Sequence, residues 1–158
     1  LIAAEQSVDR GTIYYSMYCF WSGEAAFGDQ HGVLATEPGW MDGKEVIKVV
    51  YDPNDIVEKE LDNIAAKNQC KPIKEKDDYR IDKNPQYYLK NSQFSRLALT
   101  EIQKTRINSM LLQKENPTFL LSPSQLKYLE RLKSNGKKYP QLYDMDFEKG
   151  WAIMTESI

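Results

Sequence analysis

The pattern of apolar and polar positions predicts that strands dominate the first third of the chain. Three runs are rich in β-branched and aromatic residues, as buried strands are; they lie at residues 12–18, 33–36 and 45–51. We expect Pro38-Gly39 to end the second run, since both residues commonly interrupt strands. Met41-Asp42-Gly43 is typical of a turn that joins the second strand to the third.

Helices are predicted where capping residues and glycines bound a helical pattern. They lie at residues 23–30, 53–68, 100–114 and 122–135. Gly32 follows the first helix, and Asn135-Gly136 would end the last. The buried side of the second helix is predicted to carry Ile56, Leu61 and Ile64. The last two helices each begin with a capping box, formed by Thr100 with Gln103 and by Ser122 with Gln125.

The remaining segments have weaker patterns. Residues 69–85 are rich in Lys, Asp and Pro and predict a long exposed loop. A weak strand is predicted at residues 94–99, and residues 139–158 are aromatic without a clear period. The order strand, helix, strand, strand, helix, strand is that of the split βαβ, ferredoxin-like α+β fold, whose two helices cover one face of an antiparallel sheet.

Composition and charge exclude several classes of protein. The 158 residues suit one domain, and 41% hydrophobic with 28% charged residues is ordinary for a globular protein. A net charge of −2 provides no field that would attract nucleic acid or an anionic membrane. No apolar run approaches the roughly 18 residues of a membrane-spanning helix.

The cysteines and the first residues leave alternatives open. Cys19, Cys70 and the single histidine, His31, cannot by themselves build a four-ligand zinc site. The two thiols could form one bridge, remain as two buried thiols, or act as a redox pair. Leu1-Ile2-Ala3-Ala4 could follow a removed signal peptide, which would imply a periplasmic or secreted protein, or begin a segment of a cytoplasmic one.

Cys19 is the most informative residue, because it stands where a predicted strand passes into a predicted helix. The backbone N–H groups of a helix N-terminus favour a thiolate. Phe20 and Trp21 follow at once and could form an apolar wall beside the sulfur. Such a site suits attack on a soft, weakly polar substrate atom. The alternative is a cysteine buried in the end of a hydrophobic strand.

Several motifs together resemble the active-site segment of the type A peptide methionine sulfoxide reductases. They are Cys19-Phe20-Trp21, Glu24, Phe27, Gly32-Val33, Gly39-Trp40 and residues 45–53 (EVIKVVYDP). The resemblance covers roughly the first 70 residues. Tyr18 stands where the family has glycine, the segment before Glu45 is shorter than in the family, and Asn68-Gln69-Cys70 replaces the family's Asn-His-Asp.

The resemblance implies thiol-dependent reduction of methionine sulfoxide, in its S epimer, in a protein, a peptide or the free amino acid. It implies a reductase-like domain over residues 1–158, with a core at about residues 10–100 and a helical extension at about 100–158. No metal or organic cofactor is implied, and the reductant would be a thioredoxin-like protein.

The resemblance also implies roles for individual residues. Cys19 would be the nucleophile, Glu45 the acid that faces the sulfoxide oxygen, and Phe20 with Trp21 the pair that receives the methyl group. The other residues expected to bind substrate are Trp40, Tyr87 and Tyr88, the tyrosines because Gln86-Tyr87 matches the family's Gln-Tyr. The family's resolving cysteine near the C-terminus has no counterpart, so Cys70 is the internal partner available to Cys19.

Each of these assignments has a plainer alternative. Glu45 could be an exposed charge at a strand end, Trp40 could fill the core, and Cys70 could be an idle thiol. Glu24 is expected to be solvated on its helix, and His31 to cap a helix or face water. The whole chain could be a catalytically impaired relative that binds peptides or senses redox state through its thiol.

Overall fold

The structure is a computed structural model that describes residues 9–74, 78–135 and 139–158. Within these residues, five strands form one sheet and six helices accompany it. The strands β1 to β5 are Gly11–Ser16, Val33–Met41, Lys44–Tyr51, Lys71–Ile73 and Arg80–Ile81. The helices α1 to α6 are Phe20–Gly28, Glu58–Lys67, Tyr87–Lys90, Glu101–Leu112, Pro123–Asn135 and Phe147–Glu156. The predicted α+β class is therefore confirmed.

The sheet has the order β4-β1-β3-β2-β5, and every neighbouring pair is antiparallel. The central strand, β3, places Ile47 opposite Tyr15 of β1 and opposite Pro38 of β2. Helix α1 joins β1 to β2, and α2 joins β3 to β4, so each helix crosses over one intervening strand.

One apolar cluster fills the space between the sheet and the first two helices. Phe27 of α1 and Leu61 of α2 both belong to it. The strands contribute alternate residues, such as Ile13 and Tyr15 of β1, which point to one face because side chains alternate along a strand. The two helices therefore cover the same face of the sheet, as predicted.

The expectation that Pro38-Gly39 ends the second strand is wrong, because β2 continues to Met41. The carbonyl of Pro38 accepts a hydrogen bond from the N–H of Asp82, on the side away from β3. The missing N–H of the proline points to that same side, so no bond to β3 is lost. Gly39 is required at its position, since a Cβ there would lie 2.4 Å from the Tyr79 ring.

The predicted long loop at residues 69–85 is also wrong, because it contains the two edge strands. β4 pairs with β1, and β5 pairs with β2 through Gly39 and Trp40. The predicted strand at residues 94–99 is absent; a 3₁₀-helix, Gln93–Arg96, lies there, and the next three residues are buried among the C-terminal helices.

The starts of helices α1 and α2 both differ from the predictions. Helix α1 begins at Phe20, earlier than expected. Helix α2 begins at Glu58, because Asp52 accepts backbone hydrogen bonds from Asn54, Asp55 and Ile56 and holds a turn there. Ile56 is buried ahead of the helix, Leu61 is buried within it, and Ile64 is half-buried.

Both predicted capping boxes are confirmed. Thr100 and Gln103 exchange hydrogen bonds at the start of α4, and Ser122 and Gln125 do so at the start of α5. The two glutamine side chains also bond to each other in both directions, at 2.8 and 2.9 Å. This pair ties the starts of α4 and α5 together.

The C-terminal helices form a second apolar cluster, around Leu97, Ile107, Tyr128 and Met154. Residues 139–158, which lack a clear pattern, include helix α6. Among the helices of the described residues, none has the length and apolar character needed to span a membrane. The motif at residues 1–4 and the helix-ending Gly136 lie outside the described residues.

Helix α4 joins the two clusters by closing the end of α1. The guanidinium of Arg106 donates to the carbonyl of Gly28 at 2.8 Å, and the hydroxyl of Ser109 donates to that of Ala25 at 2.8 Å. Carbonyls at a helix C-terminus have no partner inside the helix, so these bonds from α4 satisfy two of them. These bonds fix the C-terminal end of α1 against α4.

Candidate active site

Cys19 is the N-cap residue of α1. Its backbone is extended, with φ −139° and ψ 116°, and its thiol is free and partly exposed. The geometry follows from the end of β1, since Met17 donates its N–H to the carbonyl of Glu45 at 3.3 Å before the chain turns into the helix. Cys19 is therefore placed at the surface beside the helix start, and the alternative of a core cysteine does not apply.

Glu45 is brought to the same helix start. Its Oε1 accepts a hydrogen bond from the backbone N–H of Phe20 at 3.3 Å. The first N–H groups of a helix have no partner inside the helix, and a carboxylate is favoured there by their partial positive charge. Glu45 is half-buried, so it is not an exposed strand-end charge. Cys19 and the Glu45 carboxylate therefore both lie at the first turn of α1.

One aromatic contact lies at this helix start. The rings of Phe20 and Trp40 meet edge-to-face, with centroids 5.4 Å apart. Trp40 lies directly opposite Glu45 in the β2–β3 hairpin, and its indole N–H donates to Asp82 at 3.0 Å. The hairpin register therefore sets the carboxylate and the ring side by side.

Trp21 forms a second aromatic group with Tyr87 and Tyr88. The rings of Trp21 and Tyr87 are stacked, with centroids 5.4 Å apart and planes at 20°. Tyr88 meets both of them edge-to-face, at 5.6 Å in each case. We refer to Trp21, Tyr87 and Tyr88 as the aromatic trio. The residues predicted to bind substrate thus fall into two groups of aromatic contacts, and each group includes a residue of the first turn of α1.

Glu24 departs from the prediction of a solvated residue. Its side chain is 1% exposed, and neither carboxylate oxygen has a hydrogen-bond partner among the described residues. Burial raises the pKa of Glu24 to about 7; the Gln86 backbone and the Asn108 side chain lower it in part, and the negative charge of Asp82 raises it further. The sequence signal was available: Phe20, Glu24 and Phe27 have the spacing of one buried helix face.

Asp82 is a second residue that the sequence reasoning missed. It accepts the Trp40 indole N–H through one oxygen and the backbone N–H of Asn84 through the other, at 3.0 Å each. The prediction of a long exposed loop gave no indication of a role for Asp82. The pairing of β5 with β2 brings Asp82 to the hairpin.

Cys70 was expected at the start of a long exposed loop, but it is buried. It is 4% exposed, belongs to the apolar cluster beneath the sheet, and contacts the carbonyl of Asn68 at 3.5 Å. Burial raises the pKa of its thiol. The next residue, Lys71, is paired with Ser16 of β1, so both cysteines lie at the same end of the sheet.

The arrangement can support nucleophilic chemistry with proton transfer. It combines a free, half-buried cysteine at a helix N-terminus, a carboxylate at the same turn and aromatic rings at the neighbouring positions Phe20 and Trp21. Neither a family model nor a curated protein matches the chain.

Proposed function

We propose that this protein reduces methionine sulfoxide with thiols, in the manner of the type A peptide methionine sulfoxide reductases. The observation that carries the proposal is the hydrogen bond from the Phe20 N–H to the Glu45 carboxylate. This bond holds the Glu45 carboxyl group at the helix start that carries Cys19. The contacting rings of Phe20 and Trp40 belong to this helix start and to the strand position opposite Glu45. A nucleophile, an acid and an apolar receptor for a methyl group are what this reaction needs.

The reaction would proceed in balanced steps. The Glu45 carboxylate takes the proton of the Cys19 thiol, the resulting thiolate attacks the sulfur of the sulfoxide, and Glu45 gives that proton to the sulfoxide oxygen. The oxygen then passes to the cysteine sulfur, so the substrate leaves as the thioether and Cys19 becomes a sulfenic acid. A second thiol attacks that sulfur, forms a disulfide and releases water. A thioredoxin-like dithiol restores Cys19 by exchange.

The aromatic residues would select the substrate. The methyl group and sulfur of methionine sulfoxide would contact the rings of Phe20 and Trp21, since sulfur–aromatic contacts are favourable by about 0.3–1.5 kcal/mol. Trp40 and the two tyrosines of the aromatic trio complete the walls. A substrate without an apolar methyl group beside the sulfoxide would lose these contacts, so the site would favour methyl sulfoxides.

The strand order supports the finer fold assignment as part of the proposal. Strands β4-β1-β3-β2 and helices α1 and α2 follow the chain order of the split βαβ unit. Strand β5 is an addition at the β2 edge, and it carries the chain towards Asp82 and the aromatic trio.

A second candidate function is peptide binding without turnover. Tyr18 is 97% exposed directly beside Cys19, and Tyr87 is 40% exposed. Exposed aromatic rings are typical of binding surfaces. In that case a sulfoxide-containing peptide would bind, and Cys19 would remain a thiol.

The deciding experiment measures turnover of the separated S and R epimers of N-acetylmethionine sulfoxide amide with dithiothreitol. We expect the wild-type protein to reduce the S epimer and Cys19→Ser to be inactive, because a hydroxyl is a far weaker nucleophile than a thiolate. Cys70→Ser is the matched control and should retain turnover, since dithiothreitol can replace the second thiol. Equal rates in wild type and Cys19→Ser would refute the proposal. Binding of the peptide without any reduction would establish the second candidate.

A further inference from the structure

Tyr18 is 97% exposed, the highest exposure of any large hydrophobic residue that the structure describes. It lies in the bend between β1 and α1, directly before Cys19. Side chains alternate along an extended chain, and the preceding residue, Met17, packs against the apolar cluster between the sheet and the first two helices. The Tyr18 ring therefore points away from that cluster and into solvent.

The Tyr18 ring contributes no contact that would stabilise the fold. Within the described residues it meets no other aromatic ring, and its hydroxyl forms no hydrogen bond. The two tyrosines of β1 differ from it, since Tyr15 donates to Asp62 at 2.7 Å and the Tyr14 ring meets Tyr79 edge-to-face. Removal of the Tyr18 ring should thus leave stability unchanged, so an effect on a ligand would be a direct one.

Tyr18 adjoins both groups that the proposed reaction uses. Its neighbour on one side is Cys19, and its neighbour on the other side, Met17, donates its backbone N–H to the carbonyl of Glu45 at 3.3 Å. Consecutive Cα atoms lie about 3.8 Å apart. The exposed ring is therefore attached one residue from the nucleophile, at the strand end that also carries the acid.

A substrate that reacts with Cys19 comes close to this ring. The sulfoxide sulfur must approach the cysteine sulfur to about 3–3.5 Å. In a polypeptide, the residues on either side of methionine sulfoxide are only about 3.8 Å from it along the chain. One of their side chains is then within reach of Tyr18, whereas the free amino acid has only its ammonium and carboxylate groups there.

The chemistry of the ring favours an apolar neighbour over a polar one. A tyrosine side chain offers a large, rigid surface and loses little conformational freedom when it is covered. Water surrounds the Tyr18 ring in the free protein. Covering it with an apolar side chain removes apolar surface of both groups from water, which is favourable in proportion to the area.

We propose that Tyr18 is a specificity-determining residue, and that the preferred substrate is methionine sulfoxide within a polypeptide and beside an apolar residue. This inference rests on the proposed function and deepens it, because it concerns the substrate of the same cysteine. Tyr18 stands where the type A reductases have glycine. The selectivity would therefore be a property of this chain.

The test compares two peptides that contain the S epimer of methionine sulfoxide, one flanked by leucines and one by serines. Dithiothreitol is the reductant. We expect the wild-type kcat/KM to be about fivefold higher for the leucine peptide, the scale of one aromatic contact. In Tyr18→Ser the ratio should fall to about one, because the ring is lost. Tyr18→Phe should keep the wild-type ratio, because the ring remains.

Phe119→Ser is the matched control. Phe119 is also an exposed aromatic residue, at 73%, but it lies in the 3₁₀-helix Thr118–Leu120 that precedes α5. This variant should keep the wild-type ratio, and urea denaturation should give Tyr18→Ser the stability of the wild type. A wild-type ratio near one would overturn the inference, as would an unchanged ratio in Tyr18→Ser.

The thioredoxin-like reductant is the other ligand that must reach Cys19. Dithiothreitol replaces it in the assay, so a Tyr18→Ser defect seen only with thioredoxin would overturn the inference and assign the ring to the reductant. If the wild type reduces neither peptide, the proposed function fails, and calorimetric binding of the two peptides decides the role of Tyr18. Tighter binding of the leucine peptide that is lost in Tyr18→Ser supports that role, and equal binding of both peptides rejects it.

Discussion

The backbone N–H of Phe20 donates a hydrogen bond of 3.3 Å to the carboxylate of Glu45, 25 residues further along the chain. This bond connects the start of α1 to the start of β3. It also explains why the carboxylate stays beside Cys19, although it forms no ion pair with the residues that the structure describes. The N–H of Phe20 belongs to the backbone, so the position of Glu45 is set by the fold.

Replacing Glu45 by glutamine should slow the step that forms the sulfenic acid by roughly 10²-fold or more, the usual scale for loss of a general acid. The amide can still accept the hydrogen bond from Phe20, so the helix start should remain intact. Single-turnover kinetics with the S epimer measure this step directly. Glu60→Gln serves as the control on an exposed helix face, and a Glu45→Gln rate equal to that of the wild type would exclude the acid role.

Replacing Trp21 by leucine should raise the KM for a methyl sulfoxide about tenfold. The substitution removes the ring that stacks on Tyr87, and aromatic and sulfur–aromatic contacts contribute about 0.5–1.5 kcal/mol each. Trp151→Leu is a matched control, because Trp151 stacks on Phe147 in the C-terminal helix α6. Steady-state kinetics should show an unchanged KM for that variant. Equal KM values in wild type and Trp21→Leu would remove Trp21 from the substrate site.

Cys70 should form a disulfide with Cys19 after one equivalent of sulfoxide. A disulfide needs Cα atoms within about 7 Å, and the pairing of Lys71 with Ser16 places both cysteines at one end of the sheet. Because Cys70 is buried, residues around it must move, and the bridge should form more slowly than sulfenic acid. Peptide mapping by mass spectrometry detects the bridge.

Cys70→Ser provides the control for that experiment, since its sulfenic acid should persist and react with dimedone. The plainer alternative is that external thiols reduce Cys19 and Cys70 is idle. A wild-type protein that accumulates the sulfenic acid while Cys70 stays free would support this alternative and reject the bridge.

Replacing Gln103 by alanine should lower the free energy of unfolding by about 2–3 kcal/mol. It removes one capping box and leaves the buried amide of Gln125 without one partner, and each loss costs about 1–2 kcal/mol. Lys127→Ala, at an exposed site on α5, should change stability by less than about 0.5 kcal/mol. Urea denaturation measures both. A Gln103→Ala protein as stable as Lys127→Ala would show that the glutamine pair contributes nothing.

Features that depend on neighbouring residues could be predicted from local patterns. The strand at residues 45–51 and the capping boxes at Thr100 and Ser122 follow from local patterns, and the structure has all of them. The predictions for Cys19, Phe20 and Trp21 also depended on one short segment at a strand-to-helix junction. Local conformational preferences act within about four residues, so such features can be predicted without the fold.

Contacts between distant segments could not be predicted in this way, because they depend on the folded chain. The edge strands β4 and β5 have too few residues to carry a pattern, and they form because β1 and β2 offer open edges. Their pairing buries Cys70 and brings Asp82 to Trp40. Glu24 has the spacing of a buried helix face together with Phe20 and Phe27, but only the packing of the whole chain covers that face and leaves the carboxyl group 1% exposed. Burial depends on what packs against a side chain, and that is a property of the whole fold.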